Sequence, residues 1–112
     1  MAEFVLLFRG DEPSDSPTEM QKQMQRWGEW MATLRAQGAF KGGQPLERGG
    51  QVVTRQKAIS DGPYAEAKDL VGGYMLIEAK DQAHACEVAK GCPIFLSGGF
   101  VEVRPVMNMN MM

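Results

Sequence analysis

Histidine occurs once in this chain, at His84, and cysteine twice, at Cys86 and Cys92. A lone histidine excludes HExxH, and it is not placed for a Ser-His-Asp or Cys-His nucleophile. It shares a predicted helix with Asp81 and Glu87 and reads as an exposed side chain. The cysteines form no CxxC. Their spacing of six residues turns them to different sides of a regular helix, so they read as two buried thiols and no metal site is expected. No GxGxxG or GxxxxGK[ST] is present and no cofactor is expected. The 12 basic residues are scattered rather than clustered and net charge is −2, which argues against a nucleic-acid partner. No apolar run approaches the ~20 residues of a membrane span, so no membrane partner is expected. The apolar stretch Phe4–Phe8 is closed by Arg9, Asp11 and Glu12 and is not a leader sequence, so the expected location is cytoplasmic.

What is present suits one globular domain. The chain has 112 residues, 44% apolar and 23% charged, enough for a single core. Residues 3–9 alternate as a strand, with Phe4, Leu6 and Phe8 on one face and Val5 and Leu7 on the other. Ser16-Pro17-Thr18-Glu19 has the form of a capping box opening a helix over residues 17–37. Met20, Met24, Trp27, Met31 and Leu34 make one helical stripe, on which Trp27 reads as core, and Gly38 suits a left-handed stop. Residues 40–45 predict a strand interrupted by Gly42-Gly43, and residues 51–54 and 57–60 a hairpin joined around Arg55-Gln56. Residues 61–71 read as a loop with at most one helical turn, and residues 73–78 as a strand. Asp81 suits the N-cap of a helix over residues 82–90. Residues 101–105 predict the last strand, with Val101 and Val103 inward and Glu102 and Arg104 opposite. The domain is expected over residues 1–106, and the Met- and Asn-rich residues 107–112 read as a frayed tail.

Without the short hairpin the order is βαββαβ, the ferredoxin-like α+β pattern, with an antiparallel sheet and both helices on one face. The strands over residues 3–9 and 73–78 are apolar on both faces. The helix-free face therefore needs a cover, and a homodimer packing two sheets face to face is expected.

Asp61-Gly62-Pro63-Tyr64-Ala65-Glu66-Ala67-Lys68-Asp69, followed by Gly72-Gly73-Tyr74 and a strand, resembles the signature of the DGPF branch of the YCII-related family. The closing segments Gly91-Cys92-Pro93 and Val101-Glu102-Val103-Arg104-Pro105, and Phe40-Lys41-Gly42-Gly43, resemble it too. The resemblance spans residues 3–106 and implies a ferredoxin-like subunit of a dimeric α/β barrel. Relatives carry a His–Asp pair proposed to be catalytic, the histidine lying in the first helix. Trp27 stands about where that histidine aligns, so no such pair carries over.

Asp61 is the candidate catalytic residue. As a turn former it bonds an amide a few residues on; as a cleft residue it is a base if burial raises its pKa. Candidate ligand-binding residues are Tyr64, Glu66 and Lys68 on the same loop, Arg104 on the sheet face and Trp30 beside the helix stripe. If Arg104 enters a barrel it needs a carboxylate, and Asp61 or Glu66 of either subunit are the candidates. Three functions are compatible with these residues. The leading one is a dimeric small-molecule-binding or accessory protein. The second is a lyase- or isomerase-type enzyme with Asp61 as base and Arg104 or Lys68 as electrostatic stabiliser. The third is a regulatory module associated with a sigma factor, supported by the gene context the resemblance implies.

Overall fold

The computed structural model describes residues 1–12, 14–62 and 69–109. The elements run β1 (Ala2–Arg9), α1 (Pro17–Ala36), β2 (Phe40–Pro45), β3 (Gln51–Val53), β4 (Ile59–Asp61), β5 (Val71–Ala79), α2 (Gln82–Ala89), a 3-10 helix (Pro93–Ser97) and β6 (Phe100–Pro105). Four strands form one antiparallel sheet in the order β2-β5-β1-β6, while β3 and β4 form a separate two-stranded ribbon. With the ribbon set aside this is the ferredoxin-like arrangement, an α+β fold.

Strand alternation sorts the sheet into two faces. Phe4, Leu6 and Phe8 pair with Ile77, Met75 and Gly73 on one side and with Pro105, Val103 and Val101 on the other. This face carries the core, in which Leu6 and Ile77 are fully buried, and Ala85 and Ala89 of α2 and Ile94 of the 3-10 helix pack into it. On the opposite face Val5, Leu7 and Leu76 are half-buried, with Tyr74 and Phe100 more exposed.

The expected helix caps form, with one difference. Ser16 Oγ accepts from the Glu19 amide at 3.3 Å, as a capping box requires. The reciprocal bond is absent: the Ser16 amide donates to Ser14 Oγ at 3.0 Å, and the Glu19 carboxylate lies 3.7 Å from Lys22 Nζ. Asp81 caps α2 through the His84 amide at 2.8 Å, and His84 is exposed, its Nδ1 accepting from the Lys80 amide.

Two backbone features shape the edge beside α1. The register of β2 against β5 shifts between Phe40 and Gly42, and at Gly43 (φ 157°) a Cβ would stand 2.4 Å from the Tyr74 carbonyl oxygen. No side chain fits there, so β2 approaches β5 closely and leaves space above it. At the other edge of β5 the register shifts between Phe8 and Arg9, opposite Gly73 and Val71.

β3 and β4 stand apart from this body as an arm. Gln51, Val52 and Val53 pair with Asp61, Ser60 and Ile59, and residues 54–58 close the hairpin with Lys57 at positive φ. Among the described residues the two strands pack on each other and only marginally on any other element. The molecule measures 48 × 42 × 18 Å with a radius of gyration of 15.6 Å. A compact chain of this length has roughly 13 Å. At the start of the tail the Val106 amide donates to the Glu3 carbonyl, and residues 110–112 lie outside the described residues.

Candidate functional site

The helix stripe is only partly core. Leu34 is buried, and Met31 and Trp27 are half-buried, but Met20 is 46% and Met24 73% exposed. Trp27 packs against the core cluster as a partly buried side chain, while the N-terminal half of α1 overhangs the sheet instead of resting on it. Beneath the overhang lies a cleft of about 690 Å³. Its walls include Met20, Met24, Trp27 and Met31 of α1, Phe8 of β1, Phe40 of β2, Met75 of β5 and Ile94 of the 3-10 helix. Volumes of this size accommodate small organic molecules.

Trp27 meets Phe8 edge-on with ring centroids 4.9 Å apart, and Trp30 backs both rings at 5.8 Å from Trp27 and 6.2 Å from Phe8. This T-shaped cluster fixes the indole of Trp27 as a rigid wall. Trp30 itself faces a shallower depression shared with Gly91, Cys92, Pro93 and Phe95.

One end of the cleft is polar. Gln23 Nε2 donates to the Pro93 carbonyl at 3.0 Å and to Ser97 Oγ at 3.3 Å. Ser97 Oγ is in turn hydrogen-bonded to the Asp11 carboxylate and lies 3.1 Å from the Ile94 carbonyl oxygen. The Glu12 amide donates to the Ser97 carbonyl, and Arg48 donates to the Asp11 carbonyl at 3.0 Å. The network places an amide, a hydroxyl and a carboxylate at the mouth of an apolar slot, which suits orientation of a mostly apolar molecule with polar substituents. Asp11, Glu12 and Glu19 border the cleft against one base, Arg26.

The sequence candidates fall elsewhere. Asp61 ends β4 on the arm; it is exposed and not among the residues that line this cleft. Tyr64, Glu66 and Lys68 lie outside the described residues. Arg104 is exposed on the helix-free face opposite Val5, and among the described residues no carboxylate pairs with it. The carboxylate beside it in β6, Glu102, accepts from Arg9 Nε at 2.9 Å. Trp30 is the candidate nearest the site, one ring behind the wall. Phe8, Gln23, Ser97 and Asp11 were missed. The signal available for Asp11 is the acid-rich, base-free run Asp11-Glu12-Pro13-Ser14-Asp15-Ser16-Pro17-Thr18-Glu19.

The thiols divide. Cys92 is buried, accepts from the Ile94 amide at 3.5 Å, and is pushed up to about 12 by burial, so it is no nucleophile near neutral pH. Cys86 is only half-buried, which corrects the reading of two buried thiols: α2 is eight residues long and turns Ala85 and Ala89 inward, not Cys86.

A ferredoxin-like α+β domain with a cleft beneath its first helix is thus the class that fold and site define. Residues 3–110 match the YCII-related domain, and the chain belongs to the YCII-related family. Among solved structures it resembles 5-chloro-2-hydroxyhydroquinone dehydrochlorinase (TftG) from Burkholderia phenoliruptrix AC1100, in complex with 2,5-dihydroxybenzoquinone, with a TM-score of 0.53, 17% identity and 97% of each chain covered. No curated protein matches the chain in sequence. No helix among the described residues is long and apolar enough to cross a membrane.

Proposed function

We propose that this protein is a homodimer that binds a small, flat, mostly apolar molecule bearing hydroxyl or carbonyl groups in the cleft beneath α1. The observation that carries the reading is the pairing of a rigid Trp27–Phe8 wall with the Gln23–Ser97–Asp11 end in one slot. A flat ring stacks on the first, and its polar substituents meet the second. The resemblance to a fold solved with a dihydroxybenzoquinone is compatible with a ligand of this shape. The dimer is supported by the helix-free face, where Val5, Leu7 and Leu76 form an apolar strip bordered by Tyr74 and Phe100.

The test is a titration of the purified protein with 2,5-dihydroxybenzoquinone and a panel of hydroxylated aromatics, followed by calorimetry and tryptophan fluorescence. Saturable binding, abolished by Met24→Trp, which fills the slot from an exposed position, is the expected result. Absence of saturable binding across the panel overturns the reading. The enzyme reading, with Asp61 as base and Arg104 or Lys68 as stabiliser, is second: Asp61 is exposed on the arm, outside the cleft beneath α1. Turnover of a bound compound, lost in Asp61→Asn, would bring it forward.

A further inference from the structure

Among the described residues the arm packs only marginally on the other elements of its own chain. Val53 and Ile59 face each other across the ribbon and are 67% and 68% exposed. A two-stranded hairpin alone in water is marginally stable at best, and three-residue strands are at the short end of the range. Such a ribbon holds its shape when a second surface covers its apolar pair.

The charges on the arm and on the cleft mouth are opposite. Residues 48–61 contain Arg48, Arg55 and Lys57 and one acid, Asp61, which lies at the base of the arm and away from its basic tip. Residues 11–19 contain Asp11, Glu12, Asp15 and Glu19 and no base, and three of these acids border the cleft. The cleft also leaves apolar surface uncovered at its rim, at Met20, Met24 and Leu96. The arm therefore offers an apolar pair with a basic tip, and the mouth an apolar rim with an acidic edge.

We propose that the arm of one copy closes the cleft of a second copy. Val53 and Ile59 cover the Met20–Met24–Leu96 rim, and Arg55 and Lys57 meet Glu12 and Glu19. The occupant is another copy rather than the same chain because the arm leaves its own body at the root, where Arg48 already holds Asp11, and among the described residues β3 and β4 pack only marginally on any other element. The binding site is then completed by its partner, and Asp61, at the base of the same arm, is carried toward the neighbouring cleft. This inference rests on the homodimer and on the cleft proposed above.

The experiment uses the full chain in a Cys86→Ser background, with Gln56→Cys at the arm tip and Glu12→Cys at the cleft mouth, treated with a short bis-maleimide. The double variant is expected to give a covalent species of twice 12.4 kDa, and neither single variant alone gives it. A linked species of single-chain mass would mean that the arm closes its own cleft, and the proposal falls. A dimer by sedimentation that yields no linked species also overturns it, while leaving the dimer itself standing. A wild-type chain that sediments as a monomer removes the homodimer first. As a second arm, Arg55→Glu with Lys57→Glu should raise the dimer dissociation constant at least about tenfold, the cost of like charges facing each other. Adding Glu12→Lys and Glu19→Lys to that chain should recover most of the loss. Failure of this rescue, with all three chains folded by circular dichroism, refutes the charge pairing. Ligand titration of the same chains separates the two readings, because a slot that binds its ligand with no arm contact leaves the function standing without the closure.

Discussion

Replacing Ser97 by alanine removes one hydroxyl that joins three parts of the cleft. Its Oγ contacts the Asp11 carboxylate, Gln23 Nε2 and the Ile94 carbonyl. A hydrogen bond to a charged group contributes about 1.5–3 kcal/mol when desolvated. Ser97 and Asp11 are half-buried, so water replaces part of the loss; Gln23 keeps its bond to the Pro93 carbonyl. The expected cost is about 1 kcal/mol. With an unfolding entropy of ~2.1 cal/mol/K per residue, that lowers the melting temperature by roughly 4 °C for a chain of this length. The variant should also bind its ligand about three- to tenfold more weakly, because Asp11 and Gln23 lose their common anchor. The assay is urea denaturation of wild type, Ser97→Ala, Asp11→Ala and the double variant as a cycle. A coupling of about 0.5–1 kcal/mol between the two sites is expected. If the two effects simply add, the polar end is a set of independent surface groups and the orienting role assigned to it is wrong.

Three further outcomes are expected. Gly43→Ala drives a Cβ against the Tyr74 carbonyl and the Met75 Cα, both backbone, and should cost at least about 1–3 kcal/mol of strain in chemical denaturation. Iodoacetamide at pH 8 should label the folded chain at Cys86 only, a second adduct appearing on unfolding. The raised Cys92 pKa means the folded state favours the protonated thiol: that stability is fully present below about 9 and is lost as pH climbs through about 12. Cys92→Ala should therefore flatten the alkaline limb of the stability profile. Finally, Leu7→Glu, at the centre of the helix-free face, should convert a dimer to a monomer in sedimentation with little loss of secondary structure, since Leu7 contributes nothing to the buried core.

Much of the architecture is written in local patterns. The period-2 alternation of Phe4, Leu6 and Phe8 against Val5 and Leu7 specifies both faces of β1, and its register with β5 and β6 places each side chain as that pattern requires. Ser16, Gly38 and Asp81 mark helix boundaries through chemistry that acts within a few residues, so the boundaries fall within a residue or two of expectation. The capping box formed only in half because Ser14, two residues away, competes for the Ser16 amide.

The site was less legible because helix periodicity says which residues share a face, not how far that face sits from what it covers. Met20 and Met24 belong to the same stripe as Leu34, yet only Leu34 is buried. The gap depends on how α1 lies over the sheet, which is fixed by packing between distant segments and not by the periodicity of the helix itself. The polar end has the same origin: Asp11, Gln23 and Ser97 come from three separate segments and meet only once the 3-10 helix is packed beneath α1. Asp61 stood out in sequence because the turn around it is chemically distinctive, but turn chemistry fixes the path of the chain, not the cavity beside it. Asp61 sits at the base of the arm, exposed and away from the cleft beneath α1, so the residue that stands out locally and the cavity that can hold a ligand are set by different parts of the chain.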